Sequence, residues 1–127
     1  MLQRIQTLWM LIATLSAATF TYVVYPATSD FSDYYTTGTW LAAFLIFLNI
    51  FLYKYRHVQI WVNVSVIFLL LILIGLRAYE AYASGGTPVS KKDAVWLLPA
   101  LSIVFVKLAN KAIWRDENLV KSADRIR

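Results

Sequence analysis

The sequence predicts an all-α integral membrane protein, a four-helix bundle built from two antiparallel helical hairpins with both termini cytoplasmic and a short C-terminal helical extension. Three observations carry that reading. Of 127 residues, 60% are apolar and only 15% charged, against about 45–50% and 25% in an ordinary soluble domain. The charges that are present divide the chain into uncharged runs close to the roughly 20 helical residues needed to cross a bilayer core about 30 Å thick. Those runs are continuously apolar, as in LAAFLIFLNIFL and VIFLLLILIGL, whereas membrane β-strands alternate in polarity. The length fits one domain, 1–127.

The first span, 5–25, carries no charge after Arg4. It could be mistaken for a signal peptide, but it is longer than the usual core of about 7–15 residues, and Tyr25 and Pro26 precede the would-be cleavage site. It is therefore expected to be retained. The second span, 34–53, lies between Asp33 and Lys54, and the third, 57–79, begins after Arg56. Between them only KYRHVQ intervenes, which makes a helical hairpin. The fourth, 94–114, is long enough only if Lys107 is admitted and its stem snorkels to the nearer interface. Turn chemistry fills the outer connections, PATSDFSDYYTTG and SGGTPVSKKD. In the second of these, Ser90 and Asp93 have capping-box spacing, so the fourth helix is expected to begin near Lys91.

Orientation follows from counting Lys and Arg on the two sides. The side holding both termini carries nine (Arg4, Lys54, Arg56, Lys107, Lys111, Arg115, Lys121, Arg125, Arg127), and the other carries Arg77, Lys91 and Lys92. With three acidic residues on the first side and four on the second, the net +5 divides into +6 and −1. The basic balance thus reflects topology and anionic lipid, not nucleic acid. Trp and Tyr cluster towards the span ends, as interfacial residues do.

Catalytic chemistry has little to work with here. The chain has no Cys and a single His, His57, and no Asp or Glu falls inside the four spans. No catalytic residue, metal site or cofactor is expected. The deepest polar residues, Asn49, Asn63 and Ser65, are candidate intramembrane contacts together with Lys107; the first three would line a permeation path or ligand site, or as interhelical hydrogen bonds would each contribute about 0.6 kcal/mol and fix helix rotation. Arg77 and Glu80, three apart, read as an ion pair at the outer end of span 3. Small residues four apart, Ala13, Ala17 and Thr21 on span 1 and Gly38 and Ala42 on span 2, permit close helix approach inside the monomer or across a homodimer.

After Trp114 the charge density jumps in RDENLVKSADRIR. Apolar residues persist at Leu119, Val120, Ala123 and Ile126, and Glu117 stands four residues before Lys121, so 115–127 reads as an amphipathic helix. It is open to three roles: an extension of span 4, a helix on the inner leaflet, or a dock for a partner using Arg115, Asp116, Glu117, Val120, Lys121, Asp124, Arg125 and Arg127.

The opening MLQRIQTLW and the close IWRDENLVKSADRIR resemble the two ends of the Domain of unknown function 4293 family, short four-span membrane proteins of Bacteroidota. The resemblance covers essentially the whole chain and rests most on Gln3-Arg4-Ile5-Gln6, Asp116-Glu117, Leu119-Val120, Ser122-Ala123-Asp124-Arg125 and Arg127. It implies an integral inner-membrane protein and no established activity. Trp114-Arg115 stands where relatives tend to carry two basic residues. Two functions are expected to compete: a non-enzymatic accessory or scaffold subunit of a larger membrane complex, and a small homo-oligomeric transporter or channel.

Overall fold

The computed structural model describes residues 2–24, 32–83, 85 and 93–126. Ser90, Lys91, Lys92 and Arg127 lie outside them, and so does the expected start of the fourth helix near Lys91. Four long helices make up the described chain: α1 (Leu2–Val24), α2 (Ser32–Phe51), α3 (Arg56–Ala83) and α4 (Leu97–Ile126). Short 3-10 turns at Leu52–Lys54 and Asp93–Trp96 lead into α3 and α4. α3 runs four residues past the expected end at Tyr79, because Glu80, Ala81, Tyr82 and Ala83 offer no helix breaker. It stops before Gly85, whose φ of 87° is strained for any residue with a Cβ, and the Gly85 N–H donates to Tyr82 O at 3.3 Å. The segment after Trp114 is not a separate element, since α4 continues through it without a break.

Three of these helices, within Tyr35–Lys54, Arg56–Ala83 and Ala94–Ile126, are long and apolar enough to cross a membrane. α1 is more polar. Its hydroxyls are turned onto backbone carbonyls, Thr14 to Met10 O at 2.9 Å and Thr19 to Leu15 O at 2.7 Å.

Each helix buries one stripe with steps of three and four residues. On α1 it is Gln6, Met10, Ala13, Ala17 and Phe20; on α2, Tyr35, Thr39, Ala42, Ile46 and Asn49; on α3, Gln59, Asn63, Val66, Leu70 and Leu73; on α4, Ser102, Val106, Ala109, Ile113 and Glu117. A repeat averaging 3.5 residues keeps a seam facing its neighbour only when helices cross at a shallow angle, about 20°. α1 packs on α2 and α4, and α3 on α2 and α4. Antiparallel register is visible between α1 and α4, where Ser16 donates to Leu98 O at 2.8 Å, Ser102 to Ala13 O at 3.1 Å, and Trp9 stacks on Phe105 at 5.7 Å.

The buried stripes fall into three layers. The middle layer is apolar, with Met10, Ala13, Ala42, Ile46, Val66, Leu70, Val106 and Ala109 in one cluster. At one end Phe20 and Tyr35 both meet Trp96 edge-on, at 4.7 and 5.4 Å, and beside them Thr21 donates to Thr39 at 3.1 Å. At the other end, which holds the α2–α3 turn, the layer is amide-rich. The outside inverts the usual order: Leu15, Phe44, Phe47, Phe68, Leu71 and Leu101 are exposed while Ala13, Ala17, Thr39, Asn49 and Asn63 are buried. Small and polar inside, large and apolar outside, is the arrangement that hydrocarbon favours.

The small residues are spent within the monomer. Ala13, Ala17, Thr21 and Ala42 are fully buried, and a Cβ built on Gly38 would meet Leu73 Cδ1 at 3.0 Å. Gly38→Ala is expected to be nearly neutral, because helix propensity gains about 1 kcal/mol and the Leu73 side chain can yield a little. Gly38→Leu is expected to destabilise by about 1–3 kcal/mol through overpacking, read as the shift in the detergent unfolding midpoint.

Candidate functional site

The α2–α3 turn positions two polar groups of side chains, one inside the helices and one at their rim. The turn needs no Gly or Pro. Leu52–Lys54 tighten into a 3-10 turn, the Tyr55 N–H donates to Leu52 O at 2.8 Å, and Tyr55 O accepts the Gln59 N–H at 3.0 Å, which starts α3. Asn49 lies half a turn before the end of α2, where helix carbonyls lose their partners. There its own carbonyl accepts Gln59 Nε2 at 3.3 Å.

Asn49 Nδ2 donates to Gln59 O at 2.9 Å and to Asn63 Oδ1 at 2.8 Å. Asn63 Nδ2 donates onward to Asn110 Oδ1 at 2.7 Å, and Gln59 Nε2 also reaches Met10 Sδ at 3.4 Å. One chain of amides thereby ties α1, α2, α3 and α4 together. Asn49 Oδ1, Gln59 Oε1 and the nearby α1 amide Gln6 Nε2 are buried without a hydrogen-bond partner. Of the sequence candidates, Asn49 and Asn63 belong to this cluster. Ser65 does not: it is exposed and donates to Trp61 O in its own helix at 3.0 Å. Lys107 is exposed on the outer face of α4. Gln59 and Asn110 were not singled out by sequence, although Gln59 sits one helical turn before Asn63 on the same face, which was the available signal.

At the rim, α4 runs alongside the turn and two carboxylates meet it. Arg56 Nη2 lies 3.2 Å from Asp116 Oδ2, and His57 Nε2 lies 3.5 Å from Glu117 Oε1. Lys121 Nζ adds a bond to the same Glu117 oxygen at 2.9 Å. Glu117 ends the buried stripe of α4 and is only 8% exposed. Its bond from Lys121 holds its carboxyl below the usual carboxylate range, against the upward pull of burial and with the positive fields of Lys121, His57 and Arg56 assisting. Arg115, Val120, Lys121, Asp124 and Arg125 are exposed. The expected docking set therefore splits: Asp116 and Glu117 are engaged by the protein's own turn, Lys121 is bonded to Glu117, Arg115, Val120, Asp124 and Arg125 face outwards, and Arg127 lies outside the described residues. Arg77 and Glu80 form an ion pair at 3.5 Å near the opposite end. Among the described residues, no group of His, Asp and Glu is arranged to hold a metal ion.

Residues 26–126 match the model of the family described as Domain of unknown function (DUF4293), and the chain belongs to that family. The match begins beyond α1, so the N-terminal part of the resemblance lies outside it. Neither a curated protein nor a solved structure matches the chain.

Proposed function

We propose that this DUF4293 member is a four-span protein of the bacterial inner membrane with both termini cytoplasmic, acting as a non-enzymatic accessory or scaffold subunit that offers the end of α4 to another membrane protein. The observation that carries it is the mounting of that end. α4 is one unbroken helix, Leu97–Ile126, gripped at Asp116 and Glu117 by the α2–α3 turn. Beyond the grip Leu119, Val120 and Ile126 are exposed beside Asp124 and Arg125. A helix held rigid at its base and apolar at its tip loses little conformational entropy on docking. The fourth span is α1, whose exposed Leu8, Leu11 and Leu15 and internally bonded hydroxyls suit lipid. The nine-to-three distribution of Lys and Arg supports the orientation.

One variant tests both parts. The chain has no Cys, so Ser122→Cys supplies a single thiol beside the exposed tip. It is expected to resist impermeant reagent until cells are opened, and to crosslink in mild detergent to a stoichiometric partner. Labelling in intact cells would refute the orientation; a solitary, uncrosslinked monomer would refute the accessory role.

The second reading, a small homo-oligomeric transporter or channel, draws on the unpartnered buried amide oxygens of Asn49 and Gln59. Flux in proteoliposomes that disappears with Asn49→Ala or Lys107→Ala would replace the first reading with this one.

A further inference from the structure

Beside the ion pairs lies an open pocket of about 300 Å³ lined by Lys54, Tyr55, Arg56, His57, Val58 and Glu117. Two features of its wall ask for ligand atoms of opposite charge. The first is the start of α3. Gln59 supplies the first N–H bonded back to Tyr55 O, so the N–H groups of Arg56, His57 and Val58 precede the intrahelical bonds. That end of the helix carries partial positive charge, and the side chains of Lys54 and Arg56 stand with it. The second is Glu117. Its Oε1 accepts from Lys121, but Oε2 has no hydrogen-bond partner although the residue is only 8% exposed. A buried carboxylate oxygen without a donor is costly to leave so.

The depth of the pocket narrows the choice. Tyr53, Tyr55, Trp61 and Trp114 are all exposed around this end of the helices, the placement such residues take at the headgroup level of a bilayer. A ligand at that level with an anionic group and a hydrogen-bonding cation a few bonds apart is a zwitterionic phospholipid headgroup.

We propose that this pocket binds the headgroup of phosphatidylethanolamine, with the phosphate against Lys54, Arg56 and the start of α3 and the primary ammonium taking the place of Lys121 Nζ on the Glu117 carboxylate. Lys121, whose side chain is 65% exposed, lies across Glu117 and turns towards solvent as the ammonium enters. Phosphatidylcholine satisfies the phosphate half only, since its quaternary nitrogen carries no N–H. Phosphatidylglycerol brings an anion and no cation. The inference rests on the membrane placement proposed above and requires no partner protein.

The test is native mass spectrometry of the full chain, released from detergent in the presence of equimolar phosphatidylethanolamine, phosphatidylcholine and phosphatidylglycerol with matched acyl chains. Retained phosphatidylethanolamine is expected to exceed each of the others about fivefold, somewhat less than one fully buried charge-assisted hydrogen bond would give. Glu117→Gln is expected to reduce that preference to below about twofold, while Lys121→Ala keeps or raises it because the ammonium then meets no competitor. Equal retention of the three lipids, or phosphatidylglycerol in excess, overturns the site while leaving the membrane placement standing. Retention of none overturns both. A preference that survives Glu117→Gln, or one that vanishes in Lys121→Ala, also overturns the assignment. The comparison of lipids on the unaltered chain needs no variant, so it holds even if substitution at Glu117 disturbs folding.

Discussion

Asn63→Leu is expected to destabilise the packed helices by about 1–3 kcal/mol, the largest loss from any single polar substitution in the interior. Two hydrogen bonds go at once, the one accepted from Asn49 and the one donated to Asn110. Interhelical bonds in lipid average about 0.6 kcal/mol and reach about 1.7, and Asn110 Oδ1 is left without its donor. Leucine keeps the branching of asparagine at Cγ but is larger, so overpacking at this fully buried site adds to the loss. The measurement is the unfolding midpoint in mixed detergent micelles containing rising dodecyl sulfate. The double variant Asn63→Leu/Asn110→Leu should recover part of the loss, because the orphaned acceptor is then removed as well. A single-variant shift below about 0.3 kcal/mol would mean that the amides merely fill space between helices held by other contacts.

Arg56→Glu is expected to release the C-terminal third of α4 without unfolding the spans. It places a third carboxylate beside Asp116 and Glu117, where Arg56 now stands. The Arg56–Asp116 pair is partly solvated and worth at most about 1 kcal/mol, yet reversal substitutes repulsion for attraction at Asp116 and turns the field of residue 56 against Glu117. Amide hydrogen exchange over 116–126 should accelerate about tenfold, as a local opening does, while exchange in the buried stripe from Ser102 to Ala109 stays slow. The swap Arg56→Glu/Asp116→Arg should restore much of the protection.

Acid is expected to act in the same direction. The Glu117 carboxyl is held below its ordinary range, so its contribution is fully present above the unfolded-state value and is lost as pH falls through the lower, folded one. Exchange at 116–126 that is unchanged both by Arg56→Glu and by acid would show that helix propensity alone holds this segment.

Much of the molecule follows from its sequence. The four helices, the tight connection after Phe51, the small residues at four-residue spacing and the depth of Asn49 and Asn63 are all written in local composition. A span is a matter of consecutive apolar residues, and any neighbour of similar polarity serves equally well in hydrocarbon. What the sequence left open were questions of pairing. His57 has no carboxylate near it along the chain, and Glu117 reaches it only because α4 runs antiparallel beside α3 and continues one further turn past Ile113. Gln59 and Asn110 are polar residues near span ends, and only the register of three helices brings them to one layer. Ser65, on the same helix as Asn63 and only two residues later, points away from it. The distinction is rotational: a helix turns about 100° per residue, so depth can be read by counting, whereas the facing partner is fixed only when the helices choose which stripes to bury against one another.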